Sequence, residues 1–214
     1  DLHSFPTRRS SDLEMAPSLF AANYELVHIA AEDALFKDPP QFVSDPSLLR
    51  DGMAHIDAAY EGEDYTAFTC GKRSGEILYL YGKMWRKHVD TVLDYCISET
   101  DRLMCGSIWC EKNADKGYLA KEIANRHHTA KAYSEHENKY IKIATFLKKW
   151  WPNIRFLEGT DTEYINQILS YTEDAEHDDA PDSAACVCRI YDRQGGDDYQ
   201  SPFFGRRERG NYAN

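Results

Sequence analysis

Four acidic positions are set apart by what precedes or follows them. Asp57 ends an apolar run within His55-Ile-Asp-Ala-Ala-Tyr60, and Glu111 follows another, Ser107-Ile-Trp-Cys110. Asp179 and Asp182 lie in His177-Asp-Asp-Ala-Pro-Asp182, at the start of a run of small and apolar residues. Positions three apart share a helix face, so Asp179 and Asp182 can point the same way. Carboxylates gathered like this suit a hard divalent cation, because Mg²⁺ takes oxygen ligands in near-octahedral geometry. Two Mg²⁺ or Mn²⁺ ions about 4 Å apart can activate a water and stabilise the leaving oxygen of a phosphodiester. That hydrolysis needs no nucleophilic serine or cysteine. Without metal the same carboxylates repel, so raised pKa values are expected among them. His177 and Asp178 could orient water or cap the helix, and Asp64 is read as fixing a turn rather than binding metal.

Taken singly, most of these residues have an ordinary structural reading. Asp57 is a turn residue after a strand, Glu111 a solvated charge at a strand end, and Asp179 a helix N-cap. Asp182 is harder to account for in that way. It stands three residues into an apolar helix, where a buried carboxylate needs a partner. The combination, in this order, is what points to a site.

The elements that must position these residues follow from local pattern. Residues 14–36 have helical spacing, ended by Asp38-Pro-Pro40, and a loop follows to about Leu49. Residues 53–57 read as a strand, 61–64 as a turn and 65–70 as a second strand. Residues 71–75 read as a hairpin connection and 76–85 as a third strand. The pattern then alternates: helix 89–100, strand 107–110, helix 115–126, strand 129–133, amphipathic helix 138–151, strand 154–157. Thr160 and Glu163 have the spacing of a capping box for a helix to about Tyr171, and 179–191 is a well-buried helix. Three antiparallel strands followed by alternating helices and strands predict an α/β fold, a mixed sheet with helices on both faces. That order is the one ribonuclease H-like proteins show.

Composition narrows the rest. With 214 residues, 42% of them hydrophobic, the chain can bury one domain-sized core and is not disordered throughout. No apolar run approaches the roughly 20 residues of a membrane span, and no secretory signal is present. The six cysteines include no C-x-x-C pair and no zinc-finger spacing, which reads as reduced thiols in a reducing compartment. A net charge of −11 argues against a protein that simply coats nucleic acid, though not against an enzyme whose acids hold cations. No G-x-x-x-x-G-K-[ST] occurs, so no ATP site is expected.

His55-Ile-Asp-Ala-Ala-Tyr-Glu-Gly-Glu-Asp-Tyr-Thr-Ala67 resembles the opening motif of the nuclease domain in large subunits of tailed-phage terminases. Ile108-Trp-Cys-Glu-Lys-Asn113 resembles the second acidic motif, and His177-Asp-Asp-Ala-Pro-Asp182 the third. Leu19-Phe-Ala-Ala-Asn-Tyr24 and Asp33–Phe36 resemble the segment joining motor to nuclease. The resemblance implies a two-metal endonuclease that cuts concatemeric double-stranded viral DNA during packaging, in the host cytoplasm. Asp57, Glu111 and Asp182 would be metal ligands, with Asp179 a fourth ligand or a support behind them. Portal protein and terminase small subunit would be partners. A Holliday-junction resolvase shares such carboxylates but not the segment at 19–36. A docking module that holds the packaging motor on the portal would need no convergent acids.

Four parts are expected on this reading. Residues 1–13 back-translate to a common short-read sequencing adapter and are set aside. Residues 14–50 are a linker from a motor domain that the chain lacks, 51–192 the nuclease, and 193–214 a disordered tail. Contact with DNA is expected from Lys112 and Lys116 beside Glu111, and from Lys139, Lys142 and Lys149 in one sector of the amphipathic helix. For these last three an ordinary solvated helix face is the competing reading. Arg126, His127 and His128 are read as surface, since adjacent histidines do not face each other on a helix.

Overall fold

Strict alternation along the strands decides which side chain reaches which layer. The computed structural model describes residues 34–60, 64–113 and 115–194. Its strands are β1 (Phe42–Val43), β2 (Met53–Asp57), β3 (Thr66–Ser74), β4 (Ile77–Trp85), β5 (Ser107–Glu111), β6 (Ala130–Tyr133) and β7 (Ile154–Leu157). The helices are α1 (Val89–Arg102), α2 (Tyr118–Asn125), α3 (Lys139–Lys142), α4 (Lys148–Trp150), α5 (Thr162–Leu169) and α6 (Asp179–Gln194). One seven-stranded sheet results, in the order β1-β7-β4-β3-β2-β5-β6. The pairs β2–β3 and β3–β4 are antiparallel, while β2–β5, β5–β6, β4–β7 and β1–β7 are parallel. The fold class expected from the sequence is the one observed.

Each face of the sheet is covered. Ala54, Ile56, Ile108 and Cys110 pack with Val89, Leu93 and Cys96 of α1 and Leu119 and Ile123 of α2. On the other face Met53, Leu78 and Leu80 pack under Ile165 and Ile168 of α5 and Ala184, Val187 and Cys188 of α6. Alternation therefore turns His55 and Asp57 of β2 towards α6, together with Trp109 and Glu111 of β5. Ile56 pairs with Cys110, so Asp57 and Glu111 end adjacent parallel strands side by side on one face. Among the described residues no helix is long and apolar enough to cross a membrane.

Four local readings are corrected. Gly71 is not in a turn: β3 runs on to Ser74, and the turn is Gly75-Glu76, with Gly75 at φ 60°. Gly71 marks instead a close approach of α6, since a Cβ there would lie 2.4 Å from Val187 Cγ1. The expected capping box does not form. Asp161 is the N-cap of α5, and its carboxylate is taken by Lys83 Nζ at 2.6 Å and by the Met84 N–H at 3.1 Å. Thr160 Oγ1 donates instead to the Leu157 carbonyl, and Glu163 accepts from the Tyr65 hydroxyl. The helix at 138–151 is broken by a π-turn, Ile143–Leu147, between α3 and α4. Residues 34–36 are not helical; Phe36 is buried against Trp151, with ring centroids 4.9 Å apart. Residues 1–33, 61–63, 114 and 195–214 lie outside the described residues, and with them most of the expected linker helix, the adapter-like start and the tail.

Gly82 of β4 is a close approach between the sheet and α5. A Cβ at this position would stand 2.4 Å from the Tyr164 ring, whose hydroxyl is anchored 2.6 Å from Thr69 Oγ1. Tyr164 is fully buried and cannot yield without losing that bond. Gly82→Ala is therefore expected to destabilise the fold by about 1–3 kcal/mol through overpacking. Urea unfolding of the two proteins measures it, and an unchanged midpoint would contradict this packing.

Candidate metal centre

The acidic residues come from the carboxyl ends of β2 and β5 and from the first turn of α6. In sheets with parallel strands, the carboxyl ends are where ligands bind. β2 supplies Asp57, β5 supplies Glu111, and α6 supplies Asp179 and Asp182 across the same face. Asp182 is 4% exposed. Its N–H donates to the Asp178 carbonyl at 2.8 Å, which continues the helical hydrogen-bond pattern backwards.

All four carboxyls are raised above the ordinary carboxylate range, each chiefly by burial. Burial pushes Asp57 well above the usual carboxylate range, and the nearby charges of Asp182 and Asp179 add to it, against Lys139 and Lys142. Asp182 is raised by burial, which outweighs the opposing ammonium groups of Lys142 and Lys139. Glu111 is raised by burial, with Glu135 and Asp182 contributing and Lys142 opposing. Asp179 is raised by burial and by Asp178. Each is thus disfavoured as an anion until a cation arrives.

Two lysines of α3 face these acids. Lys139 Nζ donates to Asp178 Oδ1 at 2.8 Å with its side chain 54% exposed. Lys142 is different: it is 1% exposed, 2.7 Å from Asp182 Oδ1, and donates to Glu135 Oε2 at 3.0 Å. Lys142 is therefore a buried ion-pair partner, not a residue of the solvated helix face. Lys149 is 61% exposed and pairs with Asp192. Lys112 and Lys116 lie beyond Glu111, the first half-buried and the second exposed, with Lys116 at φ 54°. His177 packs its ring edge-on against Tyr65, and its Nδ1 is buried without a hydrogen-bond partner.

Sequence reasoning missed the residues behind this cluster. Arg189 of α6 binds Glu135 with two nitrogens, at 2.9 and 2.8 Å, and also Glu137 at 2.9 Å. This fork holds the Glu135 carboxylate well below the usual range, although burial alone would raise it. His55, in the first motif, links Ser183 Oγ at 2.9 Å and Tyr133 Oη at 2.8 Å. Burial pushes its pKa down to about 3, helped by the charges of Lys142 and Arg189, so the ring is neutral and serves to tie β2 to α6 and β6. One signal was available: Arg189 is a lone charge in the apolar run Ala184-Ala-Cys-Val-Cys-Arg-Ile190, two turns beyond Asp182. A cavity of about 280 Å³, lined by Trp109, Tyr133, Arg189 and Arg193, lies beside Glu135 and includes none of the four carboxylates of the cluster.

The donor chemistry fits a hard divalent cation. The donors are all oxygens, Asp182 is buried and the other three are half-buried, and Asp182 Oδ1 receives no aligned hydrogen bond even with Lys142 Nζ 2.7 Å away. The spacing fits less completely. Among the described residues no three His, Cys, Asp or Glu side chains are grouped closely enough to hold one ion, and the cation against Asp182 is an ammonium.

The seven-stranded mixed sheet is of the ribonuclease H-like type, and its solved counterparts are nuclease domains of large terminases. The chain overlays the large terminase nuclease from thermophilic phage G20c with bound cobalt at a TM-score of 0.51 and 9% identity, covering 75% of this chain and 98% of that chain. The magnesium-bound form of the same nuclease gives 0.50 at 10% identity, with coverage of 75% and 98%. The chain also overlays the large terminase of a second thermophilic bacteriophage, at 0.47 and 11% identity, covering 72% of this chain but only 39% of that longer one. No protein-family model and no curated protein matches the sequence. At these identities the likeness is one of fold.

Proposed function

We propose that this chain is a divalent-metal-dependent endonuclease that cuts double-stranded viral DNA during genome packaging. The observation that carries this reading is Asp57 and Glu111 side by side at the carboxyl ends of parallel strands of a ribonuclease H-like sheet, with Asp182 in the first turn of the helix that covers that face, all three with raised pKa values. Mg²⁺ or Mn²⁺ is the proposed cofactor, supported by oxygen-only donors. The large terminase nuclease from phage G20c, which has the same fold, has been solved with bound magnesium, cobalt or zinc. The bound metal would supply Lewis-acid activation of water and charge stabilisation at the scissile phosphate. Asp57 and Asp182 would hold it, Glu111 and Asp179 would complete or orient the set, and His177 and Asp178 would sit behind them. Lys139, Lys112 and Lys116 would meet the phosphate backbone, since exposed lysines serve as point charges there. The portal protein and the terminase small subunit are the proposed partners in the host cytoplasm.

The test is incubation of supercoiled plasmid with the chain in Mn²⁺, in Mg²⁺ and in chelator. Nicking or linearisation with metal and none with chelator is the expected result. A folded chain that binds metal and leaves the plasmid intact would overturn the nuclease reading. It would favour a docking module of the packaging motor.

A further inference from the structure

Two aromatic rings stand beside Glu111. Trp109 precedes it by two residues on β5, on the same face and about 7 Å away along the strand. Tyr133 of β6 is the register partner of Glu111 itself. These rings, with Arg189, Ile190 and Arg193 of α6, wall the cavity of about 280 Å³, which therefore adjoins the carboxylate cluster at Glu111.

The walls are already fixed. Tyr133 Oη lies 2.8 Å from His55 Nε2 and 3.1 Å from Cys186 Sγ, and the Arg189 guanidinium lies 5.5 Å over its ring. Arg189 is held in turn by Glu135 and Glu137. A ligand would meet a preformed surface, with little ordering needed for it to enter. Charge is balanced inside: the carboxylates of Glu135 and Glu137 face the guanidiniums of Arg189 and Arg193. Cations stand at the rim. The exposed Lys131 places its ammonium 4.9 Å from the centre of the Trp109 ring, and the Arg193 side chain is 51% exposed. An uncharged, partly aromatic interior with a cationic rim suits a flat neutral group carried on an anionic backbone. The volume is at the small end for ligand sites and admits one planar group, not a base pair.

We propose that this cavity receives one unpaired nucleobase of the DNA, packed against Trp109, while Lys131 and Arg193 meet the phosphates beside it. The proposal rests on the nuclease reading and narrows its substrate to a strand that is locally unpaired next to the carboxylates. Every base has a π-face, so such a contact is tolerant of sequence. A fully paired duplex must first open a pair to fill the cavity, which weakens its binding.

The test is fluorescence anisotropy of three labelled duplexes titrated with the chain in Ca²⁺ at one fixed salt concentration. One duplex carries a single unpaired nucleotide, the second an abasic residue at that place, and the third is fully paired. The unpaired base is expected to bind at least about fivefold more tightly than either, the low end for stacking of a base on an aromatic side chain. Trp109→Leu, its fold checked by circular dichroism, is expected to bind the first two alike. A 5-iodouracil at the unpaired position should crosslink under ultraviolet light to Trp109 or Tyr133 of the wild-type chain, which decides the matter if the variant does not fold. Equal binding of the three duplexes would overturn the proposal and leave the nuclease reading standing. So would a preference that persists in folded Trp109→Leu, or a crosslink to residues outside the cavity. Binding of none of the three would overturn both.

Discussion

Asp57→Asn is expected to cut metal-dependent plasmid cleavage by at least about 100-fold, because even residues that merely orient metal ligands cost 10–100-fold when lost. Asp182→Asn should do the same. A nuclease defect alone would not separate a ligand from a residue the fold needs, and stability makes the separation. The Asp57 carboxyl is pushed well above its ordinary value of 3.8, first by burial and then by Asp182. A carboxyl raised in the fold binds its proton more tightly folded than unfolded. Its contribution to stability is complete below the unfolded value of 3.8 and is lost as pH rises through the folded pKa. In chelator near neutral pH it therefore works against the fold. Asparagine removes that cost, so Asp57→Asn should melt above the wild type in chelator. The gap should widen as pH is raised from about 4 to about 7 and close when Mn²⁺ is added, since the ion binds only the folded wild-type site. Each kcal/mol recovered should appear as roughly 2–4 °C in Tm for a domain of this size. Differential scanning calorimetry across pH, with and without metal, gives both curves. A variant that melts below wild type in chelator at neutral pH would mean that Asp57 is a structural anion and not a strained ligand.

The second large effect lies behind the site. Arg189→Ala is expected to destabilise the chain by about 3–5 kcal/mol, the cost of leaving a buried charge without its partner. Arg189 makes two bonds to Glu135 and one to Glu137, and it lies 5.5 Å over the Tyr133 ring. Without it the Glu135 carboxylate, 11% exposed, keeps one cation, Lys142, which is shared with Asp182, and the His136 and Glu137 N–H groups. Lysine should not rescue the loss, because an ammonium cannot reproduce the two-pronged contact and the stacking. The pH dependence of this element runs opposite to that of Asp57. Glu135 is held below its ordinary 4.5, so its contribution is present above that value and is lost as pH falls through the folded pKa. Arg189→Ala should therefore flatten the acid side of the stability profile while Asp57→Asn flattens the neutral side. Urea unfolding of Arg189→Ala and Arg189→Lys measures the size. A loss under about 1 kcal/mol for the alanine variant would mean that the buried fork is no stronger than an exposed ion pair.

The acidic strand ends and the order of elements were legible in the sequence, because both are written locally. Apolar alternation places Asp57 and Glu111 at the ends of β2 and β5 and sends them to one face. The small-residue helix that begins at Asp179 can only be a buried one, and Asp182 goes in with it. The same locality explains the errors. Thr160 and Glu163 have the spacing of a capping box, but Thr160 Oγ1 turns back to the Leu157 carbonyl and Tyr65 claims the Glu163 carboxylate across the tertiary fold. Gly71 has the chemistry of a turn, yet the close approach of α6 uses it as a gap in a continuing strand.

By itself, then, the sequence determined a mixed sheet covered on both faces and which acids stand at the carboxyl ends of its strands. Periodicity and turn chemistry act within a few residues, and those are what such features depend on. What only the tertiary structure decided is the company those acids keep. A lysine on a solvated helix face and a lysine buried against Asp182 have the same helical spacing. Lys142 became the second kind because α3 packs on α6 beside Glu135 and Arg189. Pairing of buried charge is settled by which distant segments meet, since an ion in a low-dielectric interior survives only beside its counter-ion. No local pattern carries that information.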